Sequence, residues 1–303
     1  MIYKIKQFLR HSLVGNWVTK KIQDSIFFPP VYRLLFFFHL TELNHAQPTD
    51  ALINASKQSR IFFGQNQERV NKIVQNLADR KSKHVYNRLI QLRSYLKIPP
   101  IFSTGSQYFP KDIIHLNSYE CFVDCGAYTG DTIEEFRELT HHSYQHIVAF
   151  DPDPRNFSIL QEKSFKKCTC IQAGVWNKQD TLPFYTGNLT SSKLEQTQVS
   201  RGLYSTQIPV QVNVVMIDKC PEVAEMTFLK MDIEGAELNA LKGAEKTIRK
   251  NRPTLAICIY HSDQDMIDIP EWILSLGLNY KLYVRHYSCS FCPDETVLYA
   301  VPD

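Results

Sequence analysis

Two carboxylates and two glycines crowd into eight residues, Asp124-Cys-Gly-Ala-Tyr-Thr-Gly-Asp131, directly after the apolar pair Phe122-Val123. A strand entering a tight loop and then a helix offers unpaired backbone N–H groups, and Gly126 and Gly130 let backbone approach a ligand where a Cβ would collide. Asp124, Gly126, Ala127, Tyr128, Thr129, Gly130 and Asp131 are therefore candidate cofactor-binding residues. The spacing is G-x-x-x-G and no Lys-Ser/Thr follows, so neither the dinucleotide fingerprint nor a phosphate-binding P-loop is matched. Acids on both sides of the turn would repel a pyrophosphate. They suit a cationic or zwitterionic ligand. S-adenosylmethionine is one, with a sulfonium, an ammonium and ribose hydroxyls, and Asp124 would face its amino-acid end.

The next apolar run closes on Phe150-Asp151-Pro152-Asp153. An acid at the tip of a second strand is placed to accept both ribose hydroxyls, which adds Asp151 and Pro152 to the cofactor set. A third block, Met231-Asp-Ile-Glu-Gly-Ala-Glu237, again sets carboxylates where a strand meets a helix, with Gly235 allowing the sharp turn. Asp232 and Glu234 there would deprotonate an acceptor hydroxyl, attend the cofactor's cationic end, or only favour the helix dipole, worth about 0.3–1 kcal/mol. His261 ends the following run, and an ordinary pKa of about 6.5 suits proton removal near neutrality. Asp232, Glu234 and His261 are the catalytic candidates, each with a purely structural role as the competing reading. The same three would also supply oxygen and nitrogen ligands to a divalent ion, but nothing in the sequence fixes their separation, and no metal is expected.

The elements that must position these residues read as parallel βαβ units from Glu120 onward. Seven strand candidates are Cys121 to Asp124, Ile147 to Phe150, Cys168 to Gln172, Phe228 to Met231, Thr254 to Tyr260, Tyr280 to Arg285 and Thr296 to Val301. Val210 to Ile217 is an extra β-like run behind a loop at residues 186–207 rich in Ser, Thr and Gln. The last two strands are joined by too short a turn for a crossover helix, so they pair antiparallel. Upstream, apolar residues recur at helical spacing from a possible N-cap at Asn66 through Val70, Ile73, Val74 and Leu77, and again through Val85, Leu89, Leu92 and Leu96. Pro99-Pro100 stops the pattern. We read a helical, basic extension over residues 1–100, a linker or covering loop over 101–118 and the catalytic domain over 119–303.

Composition excludes several classes. Of 303 residues, 44% are hydrophobic and 21% charged, which is ordinary for a folded chain and rules out disorder or a disulfide scaffold. The net charge of +3 hides a split. Residues 1–100 hold 16 Lys and Arg against 5 Asp and Glu, and the remainder holds 18 against 26. No nucleic-acid motif accompanies the basic part, and no nucleic-acid partner is expected. Its most apolar stretch, Ile26 to Leu40, is broken by Pro29-Pro30 and Arg33 and falls short of a bilayer span. Residues 1–40 would instead seat on an anionic membrane surface or a partner, or pack on the protein's own core. All eight cysteines lie between Cys121 and Cys292 and no leading run has signal-peptide order, so a cytoplasmic, at most membrane-peripheral, protein with reduced thiols is expected. Cys289-x-x-Cys292 with His286 is half a zinc site without its other half; free cysteines are the preferred reading.

The blocks FVDCGAYTGDT, VAFDPDP, QAGVWN, VVMID, FLKMDIEGAELNALKGAE, RPTLAICIYH and YKLYVRHY…ETVLYAV together resemble the FkbM-type methyltransferases, within the class I S-adenosylmethionine-dependent superfamily. The resemblance covers roughly residues 119–301. It implies an α/β fold with a seven-stranded, mostly parallel, doubly wound sheet and an antiparallel last strand. It also implies that Asp124, Gly126, Tyr128 and Gly130 line the methionine side, Asp151 the ribose, and Ala173-Gly174 the adenine region. This chain has Tyr128 where the family usually has Asn and Asp151 where it usually has Glu. The implied activity is S-adenosylmethionine-dependent O-methyl transfer, with a hydroxyl of a carbohydrate or glycan-linked substrate as acceptor. The acceptor would meet the loop at 186–207 and Arg285-His286-Tyr287, whose groups hydrogen-bond to polyols. Two other classes are weaker: a catalytically silent scaffold docking through its basic helices, and an NAD-dependent sugar-nucleotide enzyme, which needs the absent G-x-G-x-x-G.

Overall fold

The computed structural model describes residues 50–96, 103–185, 193–194, 209–288 and 294–303. The expected membrane or partner contact of residues 1–40 and the Cys289/Cys292 pair lie outside the described residues, as does nearly all of the loop at 186–207. Among the described residues no helix is long and apolar enough to cross a membrane.

Among the described residues three helices come first: α1 (Asp50–Gln65), α2 (Gln67–Asn76) and α3 (Arg80–Tyr95). Asn66 does not cap a helix start. Its side-chain amide donates to the Phe62 carbonyl at 2.9 Å in a near-continuous run from α1 to α2. The polar break holds the working cap, with the Asp79 carboxylate accepting from the Ser82 N–H at 2.6 Å. The βα units follow: β1 (Cys121–Cys125), α4 (Asp131–Leu139), β2 (His146–Phe150), α5 (Pro154–Glu162) and β3 (Cys168–Ile171). After an insertion come β8 (Phe228–Met231), α6 (Glu237–Lys242), α7 (Glu245–Asn251), β9 (Thr254–Cys258), α8 (Asp263–Ser275), β10 (Lys281–His286) and β11 (Thr296–Val301). The segment after β8 forms two helices, broken between Lys242 and Glu245. A Cβ on Gly243 would lie 2.1 Å from the Trp176 carbonyl, so the break is where that backbone crosses.

The main sheet has seven strands in the order β10-β11-β9-β8-β1-β2-β3. β1 pairs in parallel with β2 and β8, and β11 runs antiparallel between β9 and β10. The expected fold is the observed one. The extra β-like run is β7 (Val210–Val215) of a second sheet, ordered β4-β7-β5-β6, with β4 (Gly174–Val175), β5 (Asp180–Tyr185) and β6 (Lys193–Leu194). β5 alternates correctly, burying Leu182 and Phe184. Pro183 in its middle removes a ladder donor and hides it from a strand search.

One apolar layer joins α1–α3 with α6–α8 against one face of the main sheet, through Phe63, Ile73, Tyr86, Leu89, Leu229, Ile257, Ile267 and Leu282 among others. The N-terminal helices thus share the sheet's core. They also close its edge: the Ala78 N–H donates to the Leu282 carbonyl at 2.8 Å, and the Ser82 hydroxyl accepts from the Val284 N–H at 2.9 Å, both on β10. The opposite face carries α4, α5 and residues 103–116, which insert Tyr108, Phe109, Ile113 and Ile114. Phe109 packs against the rings of Phe122, Phe136 and Phe228 at 5.3–5.8 Å. Arg285, 1% exposed, ties both layers to β10 through Asp79 at 2.7 Å and Asp112 at 2.9 Å.

Candidate active site

Every candidate residue sits at one place, the carboxyl edge of adjacent strands. Asp124 belongs to β1, Asp151 follows β2, Ala173-Gly174 follow β3, Asp232 and Glu234 follow β8, and His261 follows β9. This edge is where ligands bind in open α/β sheets.

The glycine loop folds over the end of β2. Gly126 and Ala127 both donate to the Phe150 carbonyl at 3.0 Å, and Tyr128, in the left-handed region at φ +49°, donates its N–H to Asp151 Oδ2 at 2.8 Å. Asn tolerates that backbone region better than Tyr, so the substitution carries a strain the loop must hold. The glycines answer to the protein itself. A Cβ on Gly126 (φ +78°) would lie 2.0 Å from the Asp232 carbonyl oxygen, and one on Gly130 (φ +86°) 2.6 Å from the Phe165 ring. The lack of a Cβ at both positions also lets the loop lie on the turn after β8 and against Phe165. Ala127 is buried, Thr129 and Pro152 are half-buried, and Asp131 is exposed in the first turn of α4.

Asp151 is 5% exposed and also accepts from the Asp153 N–H at 2.9 Å and the Asn156 amide at 3.4 Å. Burial pushes its pKa up to about 7 against the pull of these donors. Asp124 is fully buried. Its Oδ1 pairs with Lys230 Nζ at 2.9 Å, across the β1/β8 register that sets the two residues side by side. Burial raises the Asp124 pKa against that pair, while Lys230, which burial alone would lower, is held up by Asp124 and Asp232. Lys230 also donates to the Gly126 carbonyl at 2.7 Å and lies 5.0 Å over the Tyr108 ring. The pair neutralises the acid assigned to repelling phosphate; that work passes to Asp131 and the carboxylates after β8. Asp124 Oδ2 has no hydrogen-bond partner among the described residues.

Beyond β8, Asp232 accepts from the Tyr108 hydroxyl at 2.8 Å and the Tyr260 hydroxyl at 3.1 Å. Burial would raise its pKa, but the charges of His261 and Lys230 and the two phenols bring it below the usual carboxylate value. His261, with its side chain 4% exposed, stands 3.2 Å from Glu237, 3.4 Å from Asp232 and 3.6 Å from Glu234. Burial alone would lower its pKa; Glu237, Asp232 and Glu234 outweigh that and push it up to about 10. These carboxylates favour the protonated ring, an influence that the position of His261 at the end of a strand run does not reveal. Glu234 is the most exposed of the three acids at 29% of its side chain, sits at φ +58°, and burial pushes its pKa up to about 7.

Four participants were missed by sequence reasoning. Lys230 had a signal: its charge and the opposite one of Asp124, each single in a central strand run, must find each other across the ladder. Glu237 and Tyr260 adjoin chosen residues and differ from them only by which way the chain turns. Tyr108 had none, since it arrives from an aperiodic segment. Arg285 and His286, offered as acceptor contacts, are 1% and 3% exposed and bound to Asp79, Asp112 and Thr296, so neither faces an acceptor. The six cysteines among the described residues are free.

A search of curated protein sequences finds no match. Among solved structures, the methyltransferase FkbM from Methylobacillus flagellatus KT aligns with a TM-score of 0.62 and 26% identity over 80% of this chain and 60% of that one. This chain thus spans less than two thirds of that relative's length. Fibrillarin from Aeropyrum pernix with natively bound S-adenosyl-L-methionine aligns with a TM-score of 0.41 and 14% identity over 64% of this chain and 73% of that one. The family model described as the methyltransferase FkbM domain matches residues 124–282, from the buried acid of β1 into β10 and more than half of the chain, and the protein belongs to that family.

Proposed function

We propose that the protein is an S-adenosylmethionine-dependent O-methyltransferase acting on a hydroxyl of a carbohydrate or glycan-linked substrate. The observation that carries this reading is the gathering of Asp124, the Gly126–Gly130 loop, Asp151 and the Asp232–Glu234–His261 cluster at one edge of the sheet. Family membership supports the reaction type, and the family resemblance alone supports the acceptor class.

The residues present fit the cofactor. The buried Oδ2 of Asp124 lacks a partner, and a buried acceptor in that state calls for a donor. Asp151 is pinned by two backbone N–H groups and the Asn156 amide, which leaves acceptor capacity on Oδ2 for a ribose hydroxyl. When bound, S-adenosylmethionine supplies an electrophilic methyl group on a sulfonium. Asp124 and the loop would hold its amino-acid end, Asp151 the ribose, and Ala173-Gly174 the adenine.

The chain's own residues then orient the acceptor. Glu234 is the least buried of the three acids around His261, and unlike Asp232 it is not clamped by phenols, so it takes the acceptor's proton. Asp232, clamped by Tyr108 and Tyr260, and the neighbouring His261 ring fix the electrostatics around it. Alignment in a dry pocket is the main contribution expected of such an enzyme, with base strength secondary. A transfer assay with radiolabelled S-adenosylmethionine across extracted cell-surface glycans tests the reading. Label in a glycan fraction that disappears with Asp151→Ala supports it; label in none, from folded protein, counts against it.

A further inference from the structure

Glu237 pins the turn after β8 with one oxygen, Oε1 accepting from the Ile233 N–H at 2.8 Å, and methyl transfer as derived above leaves its other oxygen without a partner. Asp232, Glu237 and His261 come from β8, α6 and the end of β9, and each brings a ligand-type atom within 4.8 Å of the other two. Glu237 is fully buried, and His261 nearly so. The ring nitrogens approach acids at 3.2–3.6 Å, yet neither is aligned for a hydrogen bond, and Glu237 Oε2 has no partner among the described residues. Buried polar atoms in that state are uncommon and point to an absent partner. Charge points the same way: with Asp124 and Lys230 paired to each other, Asp232, Glu234 and Glu237 stand within 3.6 Å of one imidazole.

We propose that Asp232, Glu237 and His261 form a binding site for a borderline divalent metal ion of the Mn2+ or Zn2+ type. One imidazole nitrogen with carboxylate oxygens suits these ions, whereas Mg2+ and Ca2+ favour oxygen alone. Glu237 stands at His261 Nδ1 and Asp232 at Nε2, so an ion on one ring nitrogen draws in the far carboxylate, and ligand atoms now within 4.8 Å of one another close to the about 3.4 Å of a tetrahedral site. Ion binding stands independently of the methyltransferase reading. Its use rests on that reading: an ion at this edge would bind the acceptor oxygen and ease loss of its proton.

The test is a titration of chelator-treated full-length protein with Mn2+, followed by the electron paramagnetic resonance signal of the free ion and without any nucleoside present. Mn2+ is chosen because it has little affinity for thiols, which removes Cys289 and Cys292 as competitors. One ion per chain is expected, with affinity reduced at least about tenfold in His261→Gln and in Asp232→Asn. In the unmutated protein Mn2+ should broaden the His261 imidazole NMR signals before those of His286. No binding at millimolar Mn2+, or broadening that spares His261, overturns the site. S-adenosylhomocysteine binding is measured on the same sample. Retained nucleoside binding without Mn2+ binding sinks only the metal site; the reverse sinks only the methyltransferase reading.

Discussion

Replacing Asp124 by Asn and Lys230 by Met, singly and together, probes the buried pair that supports the glycine loop. Their groups are 0% and 3% exposed and 2.9 Å apart, so either single change strands a charge in the core. Removing one partner of a buried pair typically costs about 3–5 kcal/mol, because the remaining ion is left uncompensated. Lys230 also holds the Gly126 carbonyl, which places Lys230→Met toward the upper end of that range. The double variant removes both charges and should lose less than the sum of the singles by about 2–3 kcal/mol. Urea denaturation followed by circular dichroism gives the four free energies, provided the slope with urea is unchanged. Additive losses, or a single variant costing under about 0.5 kcal/mol, would refute the claim that the two charges depend on each other.

Gly126→Ala should destabilise by about 2–4 kcal/mol, combining a left-handed backbone with a Cβ 2.0 Å from the Asp232 carbonyl; an unchanged melting temperature contradicts the packing described. Asp151 has its pKa pushed up to about 7, and its ionised form is the better acceptor for ribose hydroxyls. S-adenosylhomocysteine affinity should therefore fall about tenfold per pH unit below 7 and level off above it, and Asp151→Asn should flatten that titration; a flat wild-type profile speaks against the assignment. Tyr108→Phe frees one oxygen of Asp232 and should lower kcat about tenfold with little change in the cofactor dissociation constant; loss of cofactor affinity instead would place Tyr108 elsewhere.

The sheet was legible because its strands are short apolar runs bounded by acids and glycines, a pattern that burial on both faces imposes. The carboxyl-edge residues were legible for the same reason, since Asp151 and Asp232 mark where such runs stop. What stayed hidden was whatever depends on neighbours distant in sequence. The 124-residue separation of Tyr108 and Asp232 leaves no periodic trace, and β5 was masked by Pro183. His261 looked like a neutral base until three carboxylates appeared around it. The glycines were found, but not their close contacts with Asp232 and Phe165, because sequence shows that a Cβ is missing and not which protein atom lies in its place.

The central claim is that the edge built from Asp124, Asp151 and the Gly126–Gly130 loop receives a sulfonium nucleoside. Isothermal titration of the full-length protein with S-adenosylhomocysteine tests it most directly, before any acceptor is known. The account predicts saturable binding of one molecule per chain at about micromolar affinity, weakened at least about tenfold by Asp151→Ala. Folded protein that gives no binding heat with S-adenosylhomocysteine or S-adenosylmethionine, but does bind NAD, would contradict it.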